Sequence, residues 1–545
     1  LYGRRNYETT SIDAKLANRV EAEAAVFATI ANATSATSMV IRPASEIRAT
    51  AGGNGDLTLA ADWNLAQANR AGERAGLLTL RATGNLKLNA NLSDGFNVAT
   101  PLNGADPATL YAGESWSYRL VGGADTGAAD PLAVKAGNAD LTLAAGKLVR
   151  TGSGDIRVAS GRDILLKDAK SAIYTAGRAA AALDGLTAPA NAQFSEAGGS
   201  VSLSALRDIV GTASAQLYSN WLFRQGSLDA VTGAYVSQPA WWVRFDQFQQ
   251  GVGALGGGDV SLSAGRNIQN VSASTPTQAR VAGSSPERGQ LLKTGGGDLW
   301  IETGGDLLGG QYYADRGDLV LTAGGKIDSG QKVGNKPLYT ILALGDAQAQ
   351  VFAQGDVNIH TILNPHLVVQ SSGAGANFNI ANAASASWSL FSTYGPDSSV
   401  DMESLAGKLT LHDVTNTATS AVAAVKDAYK SPLNFNISSA KYNATLLSVL
   451  PPSLSATAFQ GDILVDGTQA WLSPARRSDL TLLAADSVSM PARMTQSDMD
   501  TGLIPGALNP GSATSQFTPS TVTAHAAIPV HTGDTEPVRI YARDG

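Results

Sequence analysis

Short alternations of apolar and polar residues recur along this chain, each four or five residues long and framed by small residues. In DLTLA (56–60), Leu57 and Leu59 face one way and Thr58 the other, the period-two signature of a half-buried strand. Each unit has the same grammar. Glycine or another small residue precedes a polar one, the alternation follows, and a small corner leads to a second polar–apolar pair. The two polar positions lie eight residues apart. Asp155 with Asp163 (SGDIRVASGRDI), Asp259 with Asn267 (GGDVSLSAGRNI) and Asp298 with Asp306 (GGDLWIETGGDL) are the clearest doublets. Asp56 with Asn64, Ser200 with Asp208, Asp318 with Lys326 and Asp479 with Ser487 repeat the spacing; Leu77 with Asn85 and Asp140 with Leu148 follow it loosely.

The corners carry glycine where a positive φ is expected, and the Asp or Asn after them can accept hydrogen bonds from nearby backbone N–H groups. A two-residue hairpin would return the next strand antiparallel. Here the second strand starts in the same phase as the first. Stacking like corners on like corners predicts an all-β parallel β-helix, a solenoid, in preference to a set of β-sandwich domains. A single coil cannot bury its own Leu, Ile and Val, so the array folds only as a stack.

The same reading divides the chain. Residues 1–44 form an N-terminal segment with a helix over 13–31, where Leu16, Val20, Phe27 and Ile30 share a face and Asp13 serves as cap. Residues 45–490 are β-helix with inserts at 92–135, 210–254 and 385–455, and a short Ala/Val helix is expected over 418–429. Residues 491–545 read as an irregular loop followed by a return to the β-helix, and the ending at Tyr541-Ala542-Arg543-Asp544 reads as a turn before a further strand of a longer protein.

Composition narrows the function classes. Charged residues make up 16% of the chain, the net charge is -7 and no long Lys/Arg run exists, which argues against tracking nucleic-acid phosphates. Cysteine is absent, which removes disulfides, thiolate metal sites and cysteine nucleophiles. No apolar run approaches the roughly 18 residues of a membrane helix.

Candidate chemistry is sparse. His360 and His366 stand six residues apart without the spacing of a metal motif. Gly251–Gly256 spells GxGxxG but runs straight into the next Gly-Asp strand, so a glycine-rich corner is expected there rather than a dinucleotide loop. Arg316-Gly317-Asp318 spells RGD, yet Asp318 holds the repeat's Gly-Asp position. Asparagines 32, 270, 436 and 443 lie in N-x-S/T sequons. Acidic residues at strand starts can form ladders, as calcium ligands or as caps of backbone N–H groups. Trp221, Trp241, Trp242 and Phe245 are the candidate carbohydrate or partner contacts, with packing of the insert against the rod as the competing explanation. No catalytic residue, metal ligand or cofactor is expected.

Taken in order, AGGNGDLTLAADWNL (51–65), GLLTLRATGNLKLNANLSDGF (76–96), SWSYRLVGGAD (115–125), VRTGSGDIRVASGRDILLKDAKSAIYTAGR (149–178), residues 241–267, Gly461-Asp462-Ile463 and EPVRIYARD (536–544) resemble the central and C-terminal part of filamentous haemagglutinin-like exoproteins, the passengers of two-partner secretion. The resemblance implies a right-handed parallel β-helix rod. It implies export through an outer-membrane β-barrel transporter and display at the bacterial cell surface or secretion. It further implies an adhesin-like structural role, with host or neighbouring cells or their glycans as partners and lateral self-association into fibres. The family's N-terminal secretion domain is not evident here. A stalk of a contact-dependent toxin delivery protein, and a polysaccharide-degrading β-helix enzyme, are the alternatives.

Overall fold

The computed structural model describes residues 2–34, 42–50, 52–67, 75–98, 109–137, 139–183, 186, 189, 192–214, 216, 218–249, 251–333, 336–367, 378–379, 389, 391–412, 433–434, 449–467, 469–491, 493–511, 530–531, 534–535 and 538–544. The helix expected over 418–429 and most of the 385–455 insert lie outside these residues.

The chain is a parallel β-helix with three faces. Coil after coil, a strand of the first face leads to a short strand of the second face and then to one of the third. On the first face, Arg42–Ala49, Leu77–Ala82, Ser117–Gly122, Ile156–Ser160, Val201–Ala205, Val260–Ala264 and Leu299–Thr303 pair in parallel and in register. The face continues through Ser399–Ser404, Ser453–Ala458 and Leu480–Ala484 to Val538–Ala542. The second face is a separate sheet of 13 short strands, from Ser11–Ile12 to Val488–Ser489. The third face runs from Trp63–Asn64 through Leu148–Thr151, Ala172–Thr175 and Gly251–Ala254 to Thr361–Leu363.

Like residues stack on like residues, as the in-phase doublets require. On the second face one inward column reads Leu57, Leu86, Leu141, Ile164, Ile209, Ile268, Leu307, Ile327, Val357, Leu409, Ile463, Val488. All but Val488 are buried. Burying a Leu or Ile side chain stabilises by about 1.5–3 kcal/mol, and each rung supplies the apolar surface that the next one covers.

The Asp and Asn residues of the doublets bond to the coil above them. At the corner before the second face, each Asp or Asn side chain accepts the backbone N–H of the equivalent residue one coil on: Asp163 N to Asp140 Oδ1 at 3.2 Å, Asp208 N to Asp163 Oδ1 at 3.1 Å, Asn267 N to Asp208 Oδ1 at 3.0 Å and Asp306 N to Asn267 Oδ1 at 2.8 Å. A parallel ladder climbs the corner before the first face through Asp155, Ser200, Asp259, Asp298 and Asp318. In the middle of the rod an arginine of the next coil also forks each acid, with Arg162 on Asp140, Arg207 on Asp163 and Arg266 on Asp208. Burial alone would raise the Asp163 carboxyl, but the Arg207 guanidinium and the Asp208 N–H outweigh it and hold it below the usual carboxylate range.

Two doublets sit in a different phase from the rest. Most span the step from the first face to the second. Asp56 and Asp140 instead open second-face strands, while Asn64 and Leu148 belong to the third face. The corners are built alike, so eight-residue spacing alone does not say which corner is crossed. Two strands are also far longer than expected. Gly310–Ala323 and Thr340–Ala353 run from the third face round the corner onto the first face of the next coil.

The excursions are narrower than the sequence suggested. Tyr2–Thr9 pairs with Arg42–Ala49, so the N-terminal segment is already part of the stack. The helix spans Ala14–Thr34, and Asp13 Oδ1 accepts the Leu16 N–H at 2.8 Å. Its Ala17, Val20 and Ala24 join the core beside Ile12 and Ile47. Ser117–Gly122, inside the expected 92–135 insert, is a rod strand. So are Ser399–Ser404 and Leu409–His412 inside 385–455. After the irregular segment, Val538–Ala542 returns to the first face on Leu480–Ala484.

Candidate functional site

Two regions outside the core carry the large side chains. One is an annex on the third face. Leu222–Leu228, Tyr235–Val243, Thr277–Ala282 and Gln290–Gly295 form a four-stranded antiparallel sheet of two hairpins. The rod prepares a seat for it. The outward column of the third face runs Arg150, Tyr174, Gly253, Ser274, Tyr313, Ala343, Leu363. Small residues between large ones leave sockets for annex rings. A Cβ on Gly253 would stand 3.0 Å from Phe248 Cζ and 2.7 Å from Leu255 Cδ2, so this glycine of the GxGxxG run makes room for packing. Trp221 lies edge-on to Phe248 (centroids 5.1 Å) and close to Tyr313 (6.2 Å).

Trp221, Trp241, Trp242 and Phe245 are 0%, 1%, 5% and 5% exposed. None offers a ring face to solvent, and all four pack within the annex or between it and the rod. Beneath them lies a buried polar group. Asp315 accepts from Thr277 Oγ1 and from Thr393 Oγ1, and burial raises its carboxyl. Arg224 donates to the Ser389 and Pro365 carbonyls, and burial pushes it down to about 9. His366 is fully buried between Trp241 and Phe391, 3.8 Å from Asp315, with both ring nitrogens unpartnered. Burial, with the neighbouring Arg224 and Lys293, holds it well below its usual range.

The remaining motifs resolve into parts of the stack. His360 stacks on Tyr339 at 3.4 Å and is pushed down to about 2 by burial. It approaches His412 (4.8 Å between centroids) rather than His366's cluster. RGD occupies the bend of Gly310–Ala323, where Gly317 has φ +110° and the Asp318 N–H donates to Asp298 Oδ1 at 2.9 Å. A side chain at Gly317 would strike that carboxylate, so the tripeptide is a fixed corner. Asn270 is 5% exposed and its Oδ1 accepts the Gln331 N–H, so this sequon is internal. The side chains of Asn32, Asn436 and Asn443 fall outside the described residues. Among the described residues no group of three or more His, Asp or Glu is arranged to hold a metal ion. A cavity of about 940 Å³ opens between Tyr394, Ser473, Arg476, Thr501 and Ile504.

The second region is the uncovered part of the first face. Its outward column reads Arg157, Ser202, Ser261, Trp300, Val320, Gln350, Asp401 in successive coils. Beside it run Ala159, Ser204, Ser263, Glu302, Thr322, Phe352, Glu403. Residues 124–134 fold over this face at Val121 and Ala159, and the outward positions beyond are exposed or half-exposed. Trp300 is 42% exposed, whereas the other six described tryptophans are all buried. Sequence reasoning passed over Trp300 although the signal was present. In GGDLWIET, Leu299 and Ile301 take the inward phase, which forces Trp300 outward.

No family model, curated protein or solved structure matches the chain.

Proposed function

We propose that this chain is a rod segment of a large bacterial filament, secreted or held at the cell surface, with an adhesin-like role. The observation that carries this reading is the unbroken register of the second-face column. Such a stack gains length one rung at a time without needing a larger core. At about 4.8 Å per rung, the described first-face strands account for a rod on the order of 60 Å. The order of doublets that resembles filamentous haemagglutinin-like passengers supports the same reading, and with it export through an outer-membrane β-barrel partner.

The test is deletion of this segment, cut between equivalent corners, from the protein that carries it. The expected result is a fibre shortened by the length of the missing coils in electron micrographs. Fibres of unchanged length would overturn the reading. Sustained release of reducing sugar from a glycan panel would replace it with a polysaccharide-acting enzyme.

A further inference from the structure

We propose that the open first face seats a second copy of this chain, with the two rods running antiparallel and Trp300 at the centre. A second rod turned end for end, about an axis lying along the Trp300 strand, keeps each outward column facing its own counterpart. Trp300 then meets Trp300. One coil either way, Ser261 faces Val320; two coils away, Ser202 faces Gln350. Three coils away, Arg157 faces Asp401, and the symmetric pair repeats at the other end. This follows from the register alone. Both charged side chains are exposed. Arg157 makes only a loose 3.4 Å contact with exposed Asp155, so its guanidinium is free to turn to a new carboxylate.

The parallel arrangement lacks this complementarity. It would set each strand's first outward residue against its second, placing Asp401 opposite Glu403 and Trp300 opposite Glu302. Size is adequate for a modest interface. Five fully open coils, with the Arg157 and Asp401 halves of the two end coils, at about 4.8 Å per coil and about 3.3 Å per residue cover roughly 480 Å² per partner. The total of roughly 950 Å² is the size of a weak, transient contact. The antiparallel pairing carries one internal opposition, Glu302 against Glu302. Replacing Glu302 by a neutral residue relieves that opposition.

The proposal goes beyond the rod reading, and the rod survives if it fails. Sedimentation velocity of the 545-residue chain across a concentration series provides the test. A monomer–dimer equilibrium is expected. W300E, R157E and D401R should each weaken it by about tenfold or more. R157E/D401R should restore it, and E302Q should tighten it. Small-angle scattering of W300E should keep the wild-type monomer length, which separates a lost contact from a lost fold. A monomer at every concentration, or a double variant no better than its parents, overturns the proposal. So does concentration-independent Trp300 quenching by a soluble polysaccharide without dimer formation.

Discussion

The first and third faces are made of the same coils, yet one is clothed and the other bare. On the third face the outward column alternates bulk with gaps, Tyr174 and Tyr313 against Gly253, Ser274 and Ala343, and the annex rings fill those gaps. On the first face the outward column from Ser202 to Gln350 is small or polar but for Trp300 and Val320. The inward columns of the two faces are equally apolar. The difference therefore lies wholly in outward positions. A solenoid separates the residues that make it stable from those that decide what it touches.

The contrast is broken most severely at the annex. Trp221→Ala empties a site with no exposure and should cost about 3–5 kcal/mol, read as a lower urea midpoint. Acidification comes next. His366 is held below its ordinary value of 6.5, so the folded chain resists a proton that the unfolded chain accepts. The stability is complete above pH 6.5 and falls as pH drops below it. Asp315, raised by burial, acts in the opposite sense. Urea midpoints followed by tryptophan fluorescence should fall between pH 6.5 and pH 5; His360, also held down by burial, acts in the same sense, so H366F should remove part of that slope and leave the share of His360. Gly253→Val puts a Cβ against Phe248 and Leu255 and should cost about 1–3 kcal/mol. Asp208→Ala orphans the Asn267 N–H and frees Arg266, for a loss of about 1 kcal/mol; Asp208→Asn should recover part of it. Trp300→Ala should change monomer stability by no more than about 0.5 kcal/mol, measured at a concentration where the chain is a monomer.

Much of the fold was legible because the coil writes itself into local pattern. The doublets placed most rungs, and Asp13 with the 3.6-residue spacing of Leu16 and Val20 placed the helix. What escaped was whatever local pattern does not encode. Asp56 and Asp140 look like every other doublet start, and only pairing with Asn85 and Asp163 reveals their corner. The annex joins hairpins separated by four rod strands, Gly251–Ala254, Val260–Ala264, Ile268–Gln269 and Ala273–Thr275, and its strands alternate with the same period as the rod's. Trp221, Trp241, Trp242 and Phe245 read from the sequence as partner contacts or as packing against the rod; their burial is not written in their own segment, because it depends on residues such as Gly253 and Tyr313 beneath the annex. Trp300 shows the reverse. Its exposure was readable from phase, because a single large residue between Leu299 and Ile301 has nowhere else to go.

The central claim is that first-face residues rise one coil at a time. The chain has no cysteine, so pairs of spin labels can be placed cleanly. Labels at Ser202 paired with Gln350, Asp401 or Ser455 lie four, five and six coils apart. Dipolar spectroscopy should give distances of roughly 19, 24 and 29 Å, in equal steps of about 4.8 Å. Distances that fail to rise in that order, or that scatter without a common step, would contradict the stack.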